Sequence, residues 1–507
     1  MMKMPWKRLN SLIRPDHVGW LFAALGVALR LRQYAADRSL WKDEANLALN
    51  LVNRSFGGLT QPLDYEQGAP IGFLLIEKTI LLVLGNKDYI LRLFPLLCGL
   101  LALGLMVRIG PRYFGTAGLF AVLLFAISWP LIYYSSELKQ YSSDAAFAVV
   151  LIYLALRCLE DNRRSIDFLL LGAVGLLAIW TSHPSIFVLA GVGLTLVLDE
   201  LIHKAYRPLA WTLGVGVVWT AALGATYLVS LRYLAANTFL QNYWRHAFMP
   251  LPPWDHLDWF GKTYLLLLDA VLGFDTWDLT GLYSILVFVG VVSLFLRDRR
   301  IAAILSLPFG LALIAAALQK YPLDDRLMLF LVPSFLLLAA EGLGRIYLFL
   351  RKSTGTAAIV ILGGIVLLTL WMPGQGGIQK FISPPMGNDI KPVLQYVAVN
   401  RSPNDVIYVE HGARPAFAYY QASYGFSTGQ VVTGTDFNGK ATFQGFSNAA
   451  NRLKGNDRVW FIFTNVDCAD CQGGGQGTFI QYLDQIGRQV HSVHAEGADA
   501  YLYDLNP

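Results

Sequence analysis

Eleven apolar stretches of near-bilayer length constrain this chain most, because a helix needs about 20 apolar residues to cross the hydrocarbon core of a membrane. They lie at 17–36, 89–109, 114–134, 140–158, 166–182, 185–199, 209–232, 281–296, 301–319, 327–349 and 356–372. Only 15% of the 507 residues are charged, whereas soluble domains have about a quarter. The sequence therefore predicts a polytopic, all-α membrane domain over residues 1–373. It argues against a soluble enzyme or a nucleic-acid-binding protein.

A shorter apolar stretch, 69–85, decides the predicted orientation. It carries Glu77 and Lys78 near its middle, and charged side chains are costly in hydrocarbon. If this stretch does not cross, sixteen Lys and Arg side chains near the ends of the spans face the cytoplasm, and if it crosses only four do. Cytoplasmic ends carry the excess of Lys and Arg. We therefore expect 69–85 to be a juxtamembrane helix in the outer interface, with the N-terminus inside and the C-terminus outside.

The composition changes after the last apolar stretch. Residues 374–388 are rich in Gly and Pro and predict a linker. Beyond it, apolar runs at 406–410 and 458–464 read as buried strands, and 389–400, 414–423 and 477–487 read as helices. This alternation predicts a small extracytoplasmic α/β domain over 389–507.

Cys468 and Cys471 lie in a Gly-rich loop of this domain. A zinc site would need two more ligands, and none is suitably spaced. A local disulfide is therefore the favoured interpretation in an oxidising compartment.

The predicted outer face holds most of the unusual polar residues of the membrane half. It consists of the tail and the loops 37–88, 135–139, 183–184, 233–280 and 320–326. The 233–280 loop contains Trp244, Trp254, Trp259 and Trp277. This pattern is typical of an interfacial aromatic belt, and a loop that stacks on a sugar or gates a lipid would use the same residues.

Asp43 and Glu44 follow the first span directly. A carboxylate in a partly dry cavity can act as a general base, because desolvation and a neighbouring charge raise its pKa. It can also bind a divalent cation through its oxygens. The structural alternative is a solvated helix N-terminus, where acidic residues favour the helix dipole.

Glu137, Lys139 and Tyr141 alternate in a dense polar and aromatic stretch between two spans. Lys139 can hold an anionic group as a compact point charge, whereas the structural alternative is the capping of two helices.

Lys320, Tyr321 and Arg326 belong to the outer turn between the ninth and tenth spans. Two cations flanking a turn at membrane depth suit the phosphate of a lipid, although snorkelling explains Lys320 equally well. His183 interrupts another apolar hairpin, and a lone His in such a turn is typical of a structural residue. It lies on the same outer face, so it is kept among the candidates for substrate binding.

The order of these motifs resembles the GT-C class of integral-membrane glycosyltransferases. The nearest resemblance is to the protein mannosyltransferase-like branch, which includes the aminoarabinose transferases of lipid A. The acidic pair is followed by matching motifs at 65–75, 92–95, 134–141 and 321–326, and the resemblance covers about residues 15–373. The chain departs from the family in carrying Lys139 where Arg is usual, and Ala69-Pro70 where paired prolines are common.

The resemblance implies that a sugar is transferred from a polyprenyl-phosphate donor to a lipid, glycan or protein acceptor at the outer face of the plasma membrane. It implies a direct displacement that inverts the anomeric centre. Asp43 would deprotonate the acceptor, and Glu44 would help to position a substrate. Lys139 and Arg326 would hold the donor phosphate as it leaves. The other predicted substrate-binding residues are Glu137, Tyr141, His183, Lys320 and Tyr321. The motifs identify no cofactor, and whether a divalent metal takes part stays open.

Two other classes of protein stay open. A transporter or flippase of lipid-linked glycans would place charged residues within its spans along a pathway, whereas here they cluster at one face. A polytopic anchor whose tail binds partner proteins would leave Asp43, Glu137 and Arg326 unexplained.

Overall fold

The computed structural model describes residues 15–273, 279–426, 431–434, 436–437, 440–464, 466–471 and 475–506. The chain forms two compact units. The first contains the residues up to 35 together with 56–85 and 89–384, and the second contains 36–55, 86–88 and the residues from 385 onwards. Residues 36–55, which the sequence analysis assigns to the membrane domain, thus pack with the C-terminal domain.

The helices follow one another along the chain with these bounds: α1 (Pro15–Tyr34), α2 (Lys42–Asn53), α3 (Ile71–Leu84), α4 (Asp88–Leu91), α5 (Leu93–Phe114), α6 (Gly118–Ile127), α7 (Trp129–Tyr133), α8 (Tyr141–Cys158), α9 (Ser165–Thr181), α10 (Ser185–Ile202), α11 (Tyr206–Thr226), α12 (Arg232–Ala236), α13 (Thr238–Tyr243), α14 (Leu257–Leu272), α15 (Thr280–Arg297), α16 (Arg299–Ala317), α17 (Val332–Thr354), α18 (Ala357–Ile382), α19 (Ile390–Asn400), α20 (Arg414–Tyr420), α21 (Phe443–Arg452) and α22 (Gly475–Ile486). Helices α2 and α19–α22 belong to the second unit.

Seven helical segments of the described chain are long and apolar enough to cross a membrane: Leu93–Ile127, Tyr141–Cys158, Ser185–Ile202, Tyr206–Ala236, Thr280–Arg297, Arg299–Ala317 and Asp325–Thr354. Ser165–Thr181 and Ala357–Trp371 are shorter apolar helices. The predicted multi-pass, helical membrane fold is confirmed. The count of eleven spans and the orientation stay predictions.

The stretch 69–85 forms α3, which has 14 residues. Pro70 precedes the helix, and Gly85 follows it with a φ of +97°, a conformation that glycine adopts without strain. At about 1.5 Å per residue, α3 is roughly 21 Å long, which is shorter than the hydrocarbon core of about 30 Å. Glu77 and Lys78 are both buried within the protein. The length of α3 therefore agrees with a helix that does not cross the membrane.

The centre of the first unit is α17, which packs closely against α15. A Cβ atom added at Gly342 would lie 1.8 Å from the Leu286 carbonyl oxygen, and one added at Gly290 would lie 1.9 Å from the Leu338 carbonyl oxygen. Small residues let two membrane helices approach backbone to backbone. Only glycine fits at these two positions.

Two stretches expected to lack helices are helical. Helix α18 continues through Ile382 into the expected linker, because Gly and Pro, which mark loops in soluble proteins, are frequent in membrane helices. The 233–280 loop contains α12, α13 and the 16-residue α14. Of its tryptophans, Trp259 is buried, Trp254 is exposed, and Trp277 lies outside the described residues. The buried Trp259 is part of the core rather than of an interfacial belt.

The second unit contains the predicted α/β domain. Its strands are β1 (Val406–Val409), β2 (Val431–Thr433), β3 (Asp436–Phe437), β4 (Lys440–Ala441), β5 (Val459–Thr464), β6 (Arg488–Ala495) and β7 (Ala498–Asp504). Five of them form a sheet in the order β2-β1-β5-β7-β6, and β3 pairs with β4. Strand β1 is parallel to β2 and β5, and β7 is antiparallel to its neighbours β5 and β6. Every residue of β5 is buried, as the sequence predicts. Cys468 and Cys471 form the expected local disulfide.

Candidate functional site

The predicted site residues belong to both units. In the second unit, 36–55 carries the acidic pair in the first turn of α2. Glu44 is 0% exposed and lies against Arg38, which is 1% exposed, with 3.4 Å between Arg38 Nη1 and Glu44 Oε2. Asp43 is half-buried. Asp43 is therefore the more exposed carboxylate of the pair.

The C-terminal domain brings a second buried carboxylate to the same unit. Glu410 follows β1, and its Oε2 accepts a hydrogen bond of 2.6 Å from the Gly412 N–H. Burial raises the pKa of Glu410 from 4.5 to about 7, against the opposing effects of this hydrogen bond and of the Lys42 ammonium. Glu410 thus changes its charge near neutral pH.

This pKa makes the stability of the second unit depend on pH. The raised pKa means that the folded state favours protonated Glu410, so the contribution is complete below pH 4.5 and is lost as the pH rises through about 7. We expect the wild-type free energy of unfolding to fall by roughly 3 kcal/mol across this window relative to Glu410→Gln. Unfolding of the purified protein at several pH values measures the difference. Equal pH slopes for the two proteins would contradict the assignment.

In the first unit, Glu137, Lys139 and Tyr141 are all buried. The Lys139 ammonium donates a hydrogen bond of 2.6 Å to Oε1 of Gln67. Tyr141 begins α8, and its ring packs edge-on against Tyr134. The loop 135–139 is therefore an internal polar layer of the first unit, not a solvated turn.

The structure brings Tyr141 together with Arg326, two residues of the predicted substrate-binding set. The Arg326 guanidinium carbon lies 5.4 Å from the centroid of the Tyr141 ring, within the range of a cation–π contact. This contact joins the second polar loop to the turn between α16 and α17. A planar, oriented guanidinium is the donor geometry that suits a phosphate.

The neighbouring candidates have different surroundings. Tyr321 packs against Phe187 and Phe330, and its hydroxyl donates to the Leu327 carbonyl at 2.9 Å. Lys320 is exposed. Burial lowers the pKa of His183 to about 4, so the ring is neutral at physiological pH. Its Nε2 atom has no hydrogen-bond partner among the described residues. Tyr321 thus packs in the core, Lys320 is open to solvent, and His183 retains an unused polar atom.

Several polar residues of the site were not predicted from the sequence. Arg38 pairs with Glu44, and Gln67 holds Lys139. Glu77 is 0% exposed, and neither of its carboxylate oxygens has a hydrogen-bond partner among the described residues. Burial therefore raises the pKa of Glu77 well above its usual range. The adjacent charges of Glu77 and Lys78 inside an apolar run are the sequence signal for this buried carboxylate.

A surface cleft lies beside Gln67 in the first unit. Its polar lining consists of Thr60, Gln61, Gln67, Ser230, Tyr233 and Asn237. Asn237 Nδ2 donates a hydrogen bond of 2.6 Å to Glu66 Oε2. Because Gln67 also contacts Lys139, this cleft offers amide and hydroxyl groups next to a buried cation.

One group of described residues brings metal-ligand atoms together. The ligand atoms of Cys468, Asp470 and Cys471 lie within 4.8 Å of one another. The two sulfur atoms are joined in a disulfide, and a metal ligand must be a thiolate. While Cys468 and Cys471 are joined in the disulfide, this group does not fit a metal ion.

Residues 68–239 match the family model of the dolichyl-phosphate-mannose-protein mannosyltransferases. The matched stretch contains Glu137, Lys139, Tyr141 and His183. No curated protein sequence matches the chain significantly.

Three solved structures are similar to the chain in fold. ArnT from Cupriavidus metallidurans in the apo state is 15% identical with a TM-score of 0.52, and the match covers 96% of this chain and 98% of that one. The same protein bound to undecaprenyl phosphate is 14% identical with a TM-score of 0.51 and the same coverage. The Archaeoglobus fulgidus oligosaccharyltransferase, in complex with zinc and sulfate, is 12% identical with a TM-score of 0.53, covering 96% and 73%. These findings confirm the predicted resemblance to the GT-C class.

Proposed function

We propose that this chain is a membrane glycosyltransferase that moves a sugar from a polyprenyl-phosphate donor to an acceptor at the outer face of the membrane. The observation that carries the proposal is the pair of oriented cations in the first unit: Lys139 on Gln67, and Arg326 over Tyr141. Two comparisons with known proteins support the proposal. The matching family model is named for a dolichyl-phosphate sugar donor, and the similar ArnT structure holds undecaprenyl phosphate.

The leaving group explains why buried cations are needed. When the acceptor attacks the anomeric carbon, the bond from that carbon to the phosphate oxygen breaks, and the lipid phosphate gains a negative charge. Preorganised cations in a site with little water stabilise such a developing charge strongly. Lys139 and Arg326 supply this stabilisation in the proposal. The amide and hydroxyl groups of the cleft beside Gln67 suit the hydroxyl groups of a sugar.

The acceptor must lose a proton as it attacks. Asp43 takes this proton from the acceptor hydroxyl or amine, and attack from the side opposite the phosphate inverts the anomeric centre. Glu44 pairs with Arg38 and holds the first turn of α2. The proton passes from the acceptor to Asp43, and the electron pair of the broken bond leaves on the phosphate.

The role of Lys139 has its own test. Lys139→Met should lower kcat/KM for the donor by about 10- to 100-fold, because a hydrogen bond to a charged group contributes about 1.5–3 kcal/mol. Lys139→Arg, which restores the residue usual in the family, should retain most activity. Initial rates at several donor concentrations measure both effects. Lys262→Met, which removes a cation exposed on α14, is the matched control; equal losses in the two Met variants would remove Lys139 from the phosphate site.

A transfer assay tests the proposed function as a whole. The purified protein in liposomes is incubated with radiolabelled polyprenyl-phosphate sugars and a crude envelope extract. We expect the label to move to an acceptor in the opposite anomeric configuration, and heat-denatured protein gives the background. Labelled lipid that crosses the bilayer without transfer would contradict the proposal and identify a flippase.

A further inference from the structure

We propose that the C-terminal α/β domain positions the base of the reaction, through contacts from Asp389, Tyr420 and His411 to the residues just before Asp43. The proposal rests on the proposed function, because it assigns a role relative to Asp43 as the base. It assigns these three as positioning residues, since they act through the segment that carries Asp43. It gives the C-terminal domain a part in catalysis.

The N-cap residue of α2 gives the helix no side-chain cap. Trp41 occupies the N-cap position and provides no side-chain hydrogen bond to the first turn. The first N–H groups of a helix need partners or they fray, and loss of a capping side chain costs about 1 kcal/mol. Asp43 lies in this uncapped first turn. Contacts that fix Ser39, Leu40 and Lys42 also fix the chain that leads into this turn.

Asp389 holds the first of these residues, Ser39. The Ser39 hydroxyl donates to Asp389 Oδ1 at 2.5 Å, and the Ser39 N–H donates to the same oxygen at 3.3 Å. The hydroxyl oxygen accepts a third hydrogen bond, of 3.0 Å, from the Lys391 N–H at the start of α19. Ser39 and Asp389 are both buried. Backbone and side chain of Ser39 are thus fixed together by the C-terminal domain.

Tyr420 holds the next residue. The Leu40 N–H donates to the Tyr420 hydroxyl at 2.8 Å, and this hydroxyl donates in turn to Asp88 Oδ2 at 2.5 Å. Asp88 also accepts from the Lys391 ammonium at 2.9 Å. Leu40, Tyr420 and Asp88 are all buried. The Tyr420 hydroxyl therefore accepts from Leu40 and donates to Asp88 at the same time. It links the Leu40 backbone to a buried carboxylate.

His411 contacts the residue adjacent to Asp43. Lys42 Nζ lies 3.2 Å from His411 Nε2. An ammonium group can only donate, so His411 must accept through Nε2 and carry its proton on Nδ1. Contacts thus hold three of the four residues directly before the base: Ser39, Leu40 and Lys42.

Displacement of a catalytic group by about 1 Å can cost on the order of 100-fold in rate. We expect Tyr420→Phe to lower kcat by about 10-fold. The KM of the donor should stay unchanged, because the proposed phosphate-binding cations belong to the other unit. Hydrogen exchange at Leu40 and in the first turn of α2 should become faster in this variant.

Tyr503→Phe is the matched control. Tyr503 is a buried tyrosine of β7 whose hydroxyl donates to Asp484 Oδ1 at 2.6 Å, within the same α/β domain. The Tyr503→Phe variant loses an equivalent hydrogen bond, so its Tm should fall to a similar degree. Its kcat and its hydrogen exchange at residues 39–46 should stay unchanged. Equal falls in kcat for the two variants would overturn the proposal, since they would show a general effect of domain stability.

His411 allows a rescue experiment. His411→Leu removes the acceptor for Lys42 and should lower kcat by several-fold. His411→Gln keeps an oxygen that can accept from the ammonium and should recover most of the loss. Wild-type rates in both variants, with Asp43→Asn inactive, would overturn the positioning role alone. Absence of transfer by the wild-type protein with every donor would overturn the proposed function itself, and the inference with it.

Discussion

Asp43→Asn should abolish sugar transfer, with kcat falling by about 10²- to 10⁴-fold, which is the usual contribution of a general base. Asparagine has the same shape as aspartate, but it cannot take the proton of the acceptor. Asp43 is half-buried in the first turn of α2, so the neutral amide should fit without disturbing the fold. Radiolabelled transfer from the donor that the wild-type protein uses measures the loss.

The control for this substitution is Asp258→Asn. Asp258 is an exposed aspartate of α14, and its ion pair with Lys262 at 2.9 Å is also exposed. This variant should transfer sugar at the wild-type rate. The Tm of both variants should match that of the wild-type protein. An active, folded Asp43→Asn protein would show that another group takes the proton.

Arg38→Met should destabilise the second unit by about 3–5 kcal/mol, because removal of one partner leaves the other as an uncompensated buried charge. Arg38 and Glu44 are 1% and 0% exposed, so water cannot replace the lost cation. The double variant Arg38→Met/Glu44→Met should recover most of this loss, since both charges are then removed together. Denaturant unfolding of the detergent-purified proteins gives the three free energies.

Arg488→Met serves as the comparison for this cycle. Arg488 is 83% exposed and pairs with Asp504 at 3.8 Å, and exposed pairs contribute at most about 1 kcal/mol. A loss no larger in Arg38→Met than in Arg488→Met would show that the Arg38–Glu44 pair does not hold α2. A double variant as unstable as the single one would show that packing, and not charge, is responsible.

The fold was predictable where the residue pattern of a single segment indicates whether that segment is buried. The uniformly apolar run of β5 identified a buried strand, and the charged pair in a short apolar run predicted that α3 does not cross, with which its 14-residue length agrees. The β6–β7 hairpin was not predicted, because β6 is largely exposed and carries no apolar pattern. The helical continuation of α18 was missed because glycine and proline carry a different meaning in a membrane.

The site was predictable only as a collection of residue types. Motif order placed Tyr141 and Arg326 in one predicted substrate-binding set, and the two side chains are in contact. The partners Gln67 of Lys139 and Arg38 of Glu44 were not predicted. Neither has a local signature, because periodicity reports which face of an element is buried and not what lies against it. The same reason hid the association of 36–55 with the C-terminal domain.

That association has a consequence for biosynthesis. The segment that carries Asp43 ends at residue 55, and the remainder of its compact unit starts at 385, apart from 86–88. Translation at about 5–20 residues per second separates the two by roughly 15 to 65 seconds. During that interval the newly made segment has no surface on which to complete its packing. Under the proposed positioning of Asp43, a chain interrupted on the ribosome before residue 385 would carry all the motif residues of its membrane half and still lack the contacts that position the base.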